Sequence, residues 1–162
     1  MKVQDIMTKE VFYCDPGTNA AVAAELMWIR NCGALPVVGD GGRVAGIVTD
    51  RDLFIALGTN NRSAGDLPVG TLMEKELSTC APGDDIRVAL KIMGQRQVQR
   101  LPVVDTAGAL KGILSLDDIV LRADTDVLSS EDVLTTIKAI WRRQVQREAG
   151  DLDRSAPQPL AA

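Results

Sequence analysis

Residues 3–57 and 69–123 are two copies of one pattern. Offset by 66 positions and aligned without a gap, 19 of their 55 residue pairs are identical. The shared residues include Cys14/Cys80, Pro16/Pro82, Gly17/Gly83 and the runs Leu35-Pro36-Val37-Val38 and Leu101-Pro102-Val103-Val104. Gly46-Ile47/Gly112-Ile113 and Asp52/Asp118 match as well. A unit of this size buries too little surface to be stable alone, whereas the joined pair is large enough for a core. The repeat therefore predicts one tandem body with an internal pseudo-two-fold axis. A site in either copy should have an equivalent in the other.

Each copy predicts the order β-α-β-β-α, an α+β fold. Val11–Cys14 and Leu77–Cys80 read as short strands stopped by Asp-Pro-Gly and Ala-Pro-Gly turns. Thr18 and Asp84 are candidate N-caps for the helices that follow. Their expected apolar positions are Val22, Leu26, Met27 and Ile29 in one copy, and Ile86, Val88, Leu90, Ile92 and Met93 in the other. Ala34–Val38 with Val44–Val48, and Leu101–Val104 with Leu110–Leu114, read as hairpins. Second helices begin after Thr49 and Ser115. The expected divisions are 1–58 and 69–126 for the repeats, with 59–68 as a polar linker. A C-terminal helix follows at 127–150, capped by Ser129 or Ser130, with an apolar stripe of Leu134, Ile137, Trp141 and Val145 and with Ile140 beside it. It should pack on the body or between subunits. The Pro/Ala-rich stretch 151–162 reads as a disordered tail.

Composition excludes several classes of function. With 46% hydrophobic and 25% charged residues the chain is an ordinary soluble one. A net charge of -4 without a long basic run argues against nucleic acid. No apolar run approaches the ~20 residues that span a bilayer, and the first residues lack the apolar core of a signal peptide. The expectation is a cytoplasmic protein with no membrane contact. Histidine is absent, which removes the commonest metal ligand, proton shuttle and triad base. Three cysteines, two of them repeat counterparts, read as reduced and partly buried thiols. There is no Walker loop and no glycine-rich dinucleotide fingerprint. The pairs Asp50/Asp52 and Asp117/Asp118 are accounted for by their place in a first helical turn. No enzyme, metal or catalytic cofactor is expected.

Thr49-x-x-Asp52 and Ser115-x-x-Asp118 match a capping box, with Asp replacing the usual Glu. Taken singly, each is explained as a helix start. Their duplication, with a glycine three residues before each cap, adds another possibility. Gly46 and Gly112 permit close approach to the backbone, and a helix N-terminus attracts anions. A phosphate could use the hydroxyl and amides, and the carboxylate could accept from a ribose diol. Arg51, in the first turn, and Arg100, just before the second Leu-Pro-Val-Val, could add phosphate contacts or simply be solvated.

These elements resemble the cystathionine-β-synthase (CBS) domain pair, or Bateman module. The resemblance covers residues 3–123 and rests on Val3-x-Asp5-Ile6-Met7-Thr8, Val69-x-Thr71-Leu72-Met73, the Leu-Pro-Val-Val strands and Gly-x-x-Thr/Ser-x-x-Asp at 46–52 and 112–118. It implies two clefts able to take AMP, ADP, ATP or S-adenosylmethionine as regulatory ligands. It assigns ribose hydroxyls to Asp52 and Asp118, and phosphate or ribose to Thr49 and Ser115. The base would lie against backbone near the first strand and the segment before Pro36 or Pro102. It also implies a homodimer.

The copies differ where Ala34 faces Arg100 and Arg51 faces Asp117. A cleft beside Ala34 should be open and neutral, and one beside Arg100 crowded and positive. Arg100 could favour a phosphorylated ligand there or fill the cleft itself. Two functions stay open: a nucleotide-responsive regulator that signals to a separate protein, or a dimeric interaction module with unoccupied clefts.

Overall fold

The structure, a computed structural model, describes residues 1–122 and the backbone of 127–151, with side chains as far as Arg142. The expected end of the second repeat at 123–126, the Val145 side chain, and the tail beyond Asp151 lie outside what the structure describes.

Ten elements carry the fold. They are α1 (Val3–Ile6), α2 (Ala20–Ile29), β1 (Ala34–Val38), β2 (Val44–Thr49) and α3 (Asp50–Thr59), then α4 (Ile86–Arg96), β3 (Arg100–Val104), β4 (Leu110–Ser115), α5 (Leu116–Arg122) and α6 (Ser130–Asp151). Short 3-10 turns lie at Asp40–Gly42, Ala64–Asp66 and Val69–Thr71. β1 pairs antiparallel with β2, and β3 with β4, each with a register shift between the two valines that follow the proline. This is the α+β repeat architecture expected.

The predicted first strands shrink to single parallel bridges, Cys14 to Val37 and Cys80 to Val103. Each cysteine N–H donates to the carbonyl of Pro36 or Pro102, at 3.1 and 3.2 Å. Pro16 and Pro82 follow two residues later and have no N–H to extend a ladder. Because the carbonyls of Pro36 and Pro102 face this outer segment, so do their ring nitrogens. The missing donors therefore fall on the outer edge of each sheet.

Helix starts and faces also differ from expectation. Asn19 and Asp85 cap α2 and α4, accepting from the N–H groups of Val22 and Arg87. Thr18 and Asp84 instead close the preceding Pro-Gly turns, accepting from Asp15 and Ala81 N–H. The helices bury Ala20, Ala23 and Met27, and Ile86, Ala89, Leu90 and Met93, while Val22, Ile29 and Val88 are exposed. The buried positions recur every three or four residues, and Val22, Ile29 and Val88 fall off that face.

The sequence repeat is not the spatial unit. Val3 and Ile6, from the start of the chain, sit in the second core with Ile86, Met93, Leu101 and Ile119. Leu67, at the end of the linker, and Val69, at the start of the second copy, sit in the first core with Met27, Leu35, Val48 and Leu53. Backbone bonds fix both exchanges: Val3 N–H to Asp84 O and Gln4 N–H to Pro82 O, against Val69 N–H to Thr18 O and Gly70 N–H to Pro16 O. Thr8 bridges to Ile113, and Glu74 to Ile47. Each lead segment thus completes the other copy's core.

α6 breaks the symmetry. Ser129 caps it, accepting from Asp132 N–H. Thr136 and Ile140 are buried, with Val133 and Ile137 partly so, whereas Leu134 and Trp141 of the expected stripe are about half exposed. The helix packs within the chain, against α4. Gly94 leaves room there for Thr136. The repeat counterpart of Gly94 is Trp28, which is 86% exposed and would block the same approach to α2.

Candidate functional site

The helix starts of α3 and α5 have the same internal geometry. Asp52 Oδ2 accepts from Thr49 N–H at 2.9 Å and from Thr49 O–H at 2.7 Å, while Thr49 Oγ1 accepts from Asp52 N–H at 3.2 Å. In the second repeat Asp118 Oδ2 accepts from Ser115 N–H and O–H at 2.9 and 2.7 Å, and Asp118 N–H reaches Ser115 Oγ at 3.0 Å. Both capping boxes are complete. Strand register adds two more expected residues, because Ala34 lies opposite Thr49 and Arg100 opposite Ser115. The sequence-predicted residues therefore assemble into two clusters: Ala34–Thr49–Asp52 and Arg100–Ser115–Asp118.

Pro36 and Pro102 stand apart from these clusters. Their rings are buried in the sheets, opposite Ile47 and Ile113, and their carbonyls are taken by the cysteine N–H groups. Arg51 is exposed, and its guanidinium makes no ion pair among the described residues. Arg100 extends toward the first repeat. A Cβ on Gly33 would sit 3.8 Å from Arg100 Nη2 and 3.1 Å from Asp50 Oδ2. The arginine expected to charge the second cleft thus reaches the first helix start as well.

Gly46 and Gly112 do meet a close approach, from within the molecule. A Cβ on Gly46 would fall 2.5 Å from Met73 Sδ and 2.9 Å from the Glu74 carbonyl oxygen. On Gly112 it would fall 2.7 Å from Met7 Sδ and 2.9 Å from the Thr8 carbonyl oxygen. The exchanged lead segments fill the space that the glycines open.

The two carboxylates differ at their second oxygen. Asp118 Oδ1 lies 3.4 Å from Arg122 Nη1, which also donates to the Ile6 carbonyl at 3.0 Å. Ala56 occupies the equivalent position in the first repeat. Asp52 Oδ1 has no hydrogen-bond partner among the described residues, and no buried polar side-chain atom there is left unpaired, so this oxygen faces solvent. The alignment of Ala56 with Arg122 was the available sequence signal for this difference.

Two grooves lie elsewhere among the described residues, and none of the nine expected residues lines either. One, of about 510 Å³, has Met7, Lys9, Asp105 and Lys111 in its walls. The Ala109 N–H and the Lys111 ammonium hold the Asp105 carboxyl below its ordinary range, and Lys111 pairs with it at 3.0 Å. The other, of about 360 Å³, lies between α5 and α6, lined by Leu116, Asp117, Leu121 and Trp141. Among the described residues no group of three or more Cys, Asp or Glu is placed to hold a metal ion. No described helix is long and apolar enough to cross a membrane.

Two α-β-β-α repeats, each with a single β-bridge at a cysteine where a first strand was expected, paired through exchanged lead segments and each starting its last helix with a Thr/Ser-x-x-Asp box, define a tandem CBS pair. The chain belongs to the CBS domain family, whose profile matches residues 3–59 and 69–124. It is similar to the CBS domain-containing protein YhcV of Bacillus subtilis (strain 168), 38% identical over 117 residues, covering 72% of this chain and 81% of that protein. It is 34% identical over 120 residues to the inosine-5'-monophosphate dehydrogenase of Thermoplasma acidophilum, covering 74% of this chain but only 23% of the enzyme. Among solved structures it is similar to CBSX2 in complex with AMP, at 28% identity and a TM-score of 0.63, covering 74% of this chain and 93% of that one.

Proposed function

We propose that the chain is a regulatory module that binds an adenosine-containing ligand (AMP, ADP, ATP or S-adenosylmethionine) and signals to a separate protein through a change of conformation or assembly. The observation that carries this is the duplicated carboxylate at a helix start, with Asp52 Oδ1 facing solvent, in a fold whose relative CBSX2 holds AMP. Thr49 and the first-turn amides of α3 would meet phosphate, and Asp52 would accept from the ribose diol. Ala34, small and buried, lies opposite Thr49 in the sheet. Arg51 and Arg100 add positive charge, and the backbone before Pro36 would flank the base. Ser115 and Asp118, with the backbone before Pro102, make the counterpart. A ligand held between the repeats shifts their arrangement only by its differential affinity for the two states. The relationship to the dehydrogenase supplies no catalytic group, and the module is assigned no reaction.

A second function is favoured by one further observation. Trp28 and Phe54, on α2 and α3, are 86% and 78% exposed, with Ile29 and Ile55 also outward. Such a face suits a homodimer, and a dimeric interaction module with unoccupied clefts would need it equally. Calorimetric titration of the purified chain with AMP, ATP and S-adenosylmethionine separates the two. Heat and a raised melting temperature support the sensor. Neither effect at millimolar ligand leaves the interaction module.

A further inference from the structure

Asp52 and Asp118 are the same residue of the repeat and hold the same cap, so any difference between them comes from their surroundings. The difference lies in Arg122. Its guanidinium faces Asp118 Oδ1 at 3.4 Å and donates to the Ile6 carbonyl, at the end of α1, at 3.0 Å. Asp118 Oδ2 is already committed to Ser115 N–H and O–H. Asp118 is 8% exposed, so little of its carboxylate remains for another donor. Ala56 offers no such group in the first repeat, and Asp52 Oδ1 is free to accept.

We propose that Arg122 is a specificity-determining residue that closes the second repeat to ligand. The chain then takes one adenosine-containing ligand, at Asp52, and a second only where Arg122 is displaced. This rests on the ligand assignment above and deepens it. A ribose diol must donate to the oxygen that Arg122 now faces. An Asp–Arg pair four residues apart on a half-exposed helix surface is weak by itself. The bond to Ile6 adds the larger share, because a charge-assisted donor is being removed from a carbonyl in the inter-repeat contact. Losing both is expected to weaken the second site about 10- to 100-fold relative to the same site without the arginine. Since α1 belongs to the exchanged lead segment, displacing Arg122 would also release one tie between that segment and α5.

The test is titration of the full chain with AMP, following stoichiometry and affinity by calorimetry, with circular dichroism to verify folding. The wild-type chain should take one equivalent, which Asp52→Ala removes. Arg122→Ala should take a second equivalent, with affinity at that site raised about 10- to 100-fold. Arg122→Gln keeps a donor for Ile6 without the charge and should open the site if the alanine variant folds poorly. Two equal wild-type sites, or the wild-type isotherm from both Arg122 variants, would overturn the proposal while leaving the ligand assignment intact. No heat from wild type or variants at millimolar AMP, ATP and S-adenosylmethionine would overturn the ligand assignment and this proposal with it.

Discussion

Met73 packs over Gly46 across the boundary between the repeats, its sulfur 2.5 Å from where a Cβ would stand. Met7 does the same over Gly112. A methionine side chain can yield, but the carbonyls of Glu74 and Thr8, each 2.9 Å from the same points, are backbone paired to Ile47 and Ile113. Gly46→Ala and Gly112→Ala should therefore each cost about 1–3 kcal/mol by forced separation of the lead segment from the sheet. Urea unfolding measures it. A change below about 0.5 kcal/mol, the range of ordinary surface substitutions, would show that the contact is loose.

The exchange of lead segments predicts that neither half of the chain is a folding unit. Val3 and Ile6 are buried in the second core, and Leu67 and Val69 in the first. Deleting residues 1–8 should destabilise the second repeat by about 3–6 kcal/mol, from two buried apolar side chains. Fragments divided between Gly58 and Thr59 should give collapsed amide spectra separately. A dispersed spectrum from 1–58 alone would contradict the exchange.

Much of this fold was legible in the sequence, because hairpins, helix starts and repeat are all local signals. Val44–Thr49 and Leu110–Ser115 follow from short apolar runs entered through turns, and Thr49-x-x-Asp52 carries its own capping geometry. The swap of α1 was not legible, since the alignment places Val3 with Val69 whichever core receives them. Thr18 and Asp84 misled as caps because a hydroxyl or carboxylate beside a Pro-Gly turn serves that turn equally well. The α6 face was legible at Ile137 and Ile140 but not at its edges: Thr136, a polar residue, packs at Gly94 while Leu134 and Trp141 stay half exposed. Within the candidate site, positions came from motif spacing, but Arg100 reaching Gly33 and Arg122 facing Asp118 depend on side chains crossing between segments.

The buried thiols set a pH dependence. Burial, with Asp15 adding to it, pushes Cys14 from 9.0 up to about 11, and burial with Asp84 pushes Cys80 to about 12. Well below pH 9 both thiols are protonated whether the chain is folded or not. Above it the unfolded chain ionises while the folded one keeps its protons, so stability is lost as pH rises toward 11 to 12. The melting temperature should fall between pH 9 and 10.5, and Cys14→Ala/Cys80→Ala should flatten part of that fall. An identical slope in the double variant would count against the effect. Iodoacetamide should label the partly exposed Cys32 first.

The exposed face of α2 and α3 makes a prediction about assembly. Trp28→Glu should convert a dimer to a monomer in light scattering behind size exclusion, without loss of helix content, because Trp28 is 86% exposed and belongs to neither core. A dimeric mass retained in the variant would move the interface elsewhere.

The central claim is that the first repeat's helix start holds an adenosine-containing ligand. Its most direct test is calorimetric titration of AMP, ATP and S-adenosylmethionine into wild-type chain and Asp52→Ala, with folding verified by circular dichroism. Saturable binding of at least one ligand by the wild type, abolished or weakened about tenfold or more in the folded variant, is the predicted result. Equal binding by both would contradict it, leaving Asp52 as a helix cap alone.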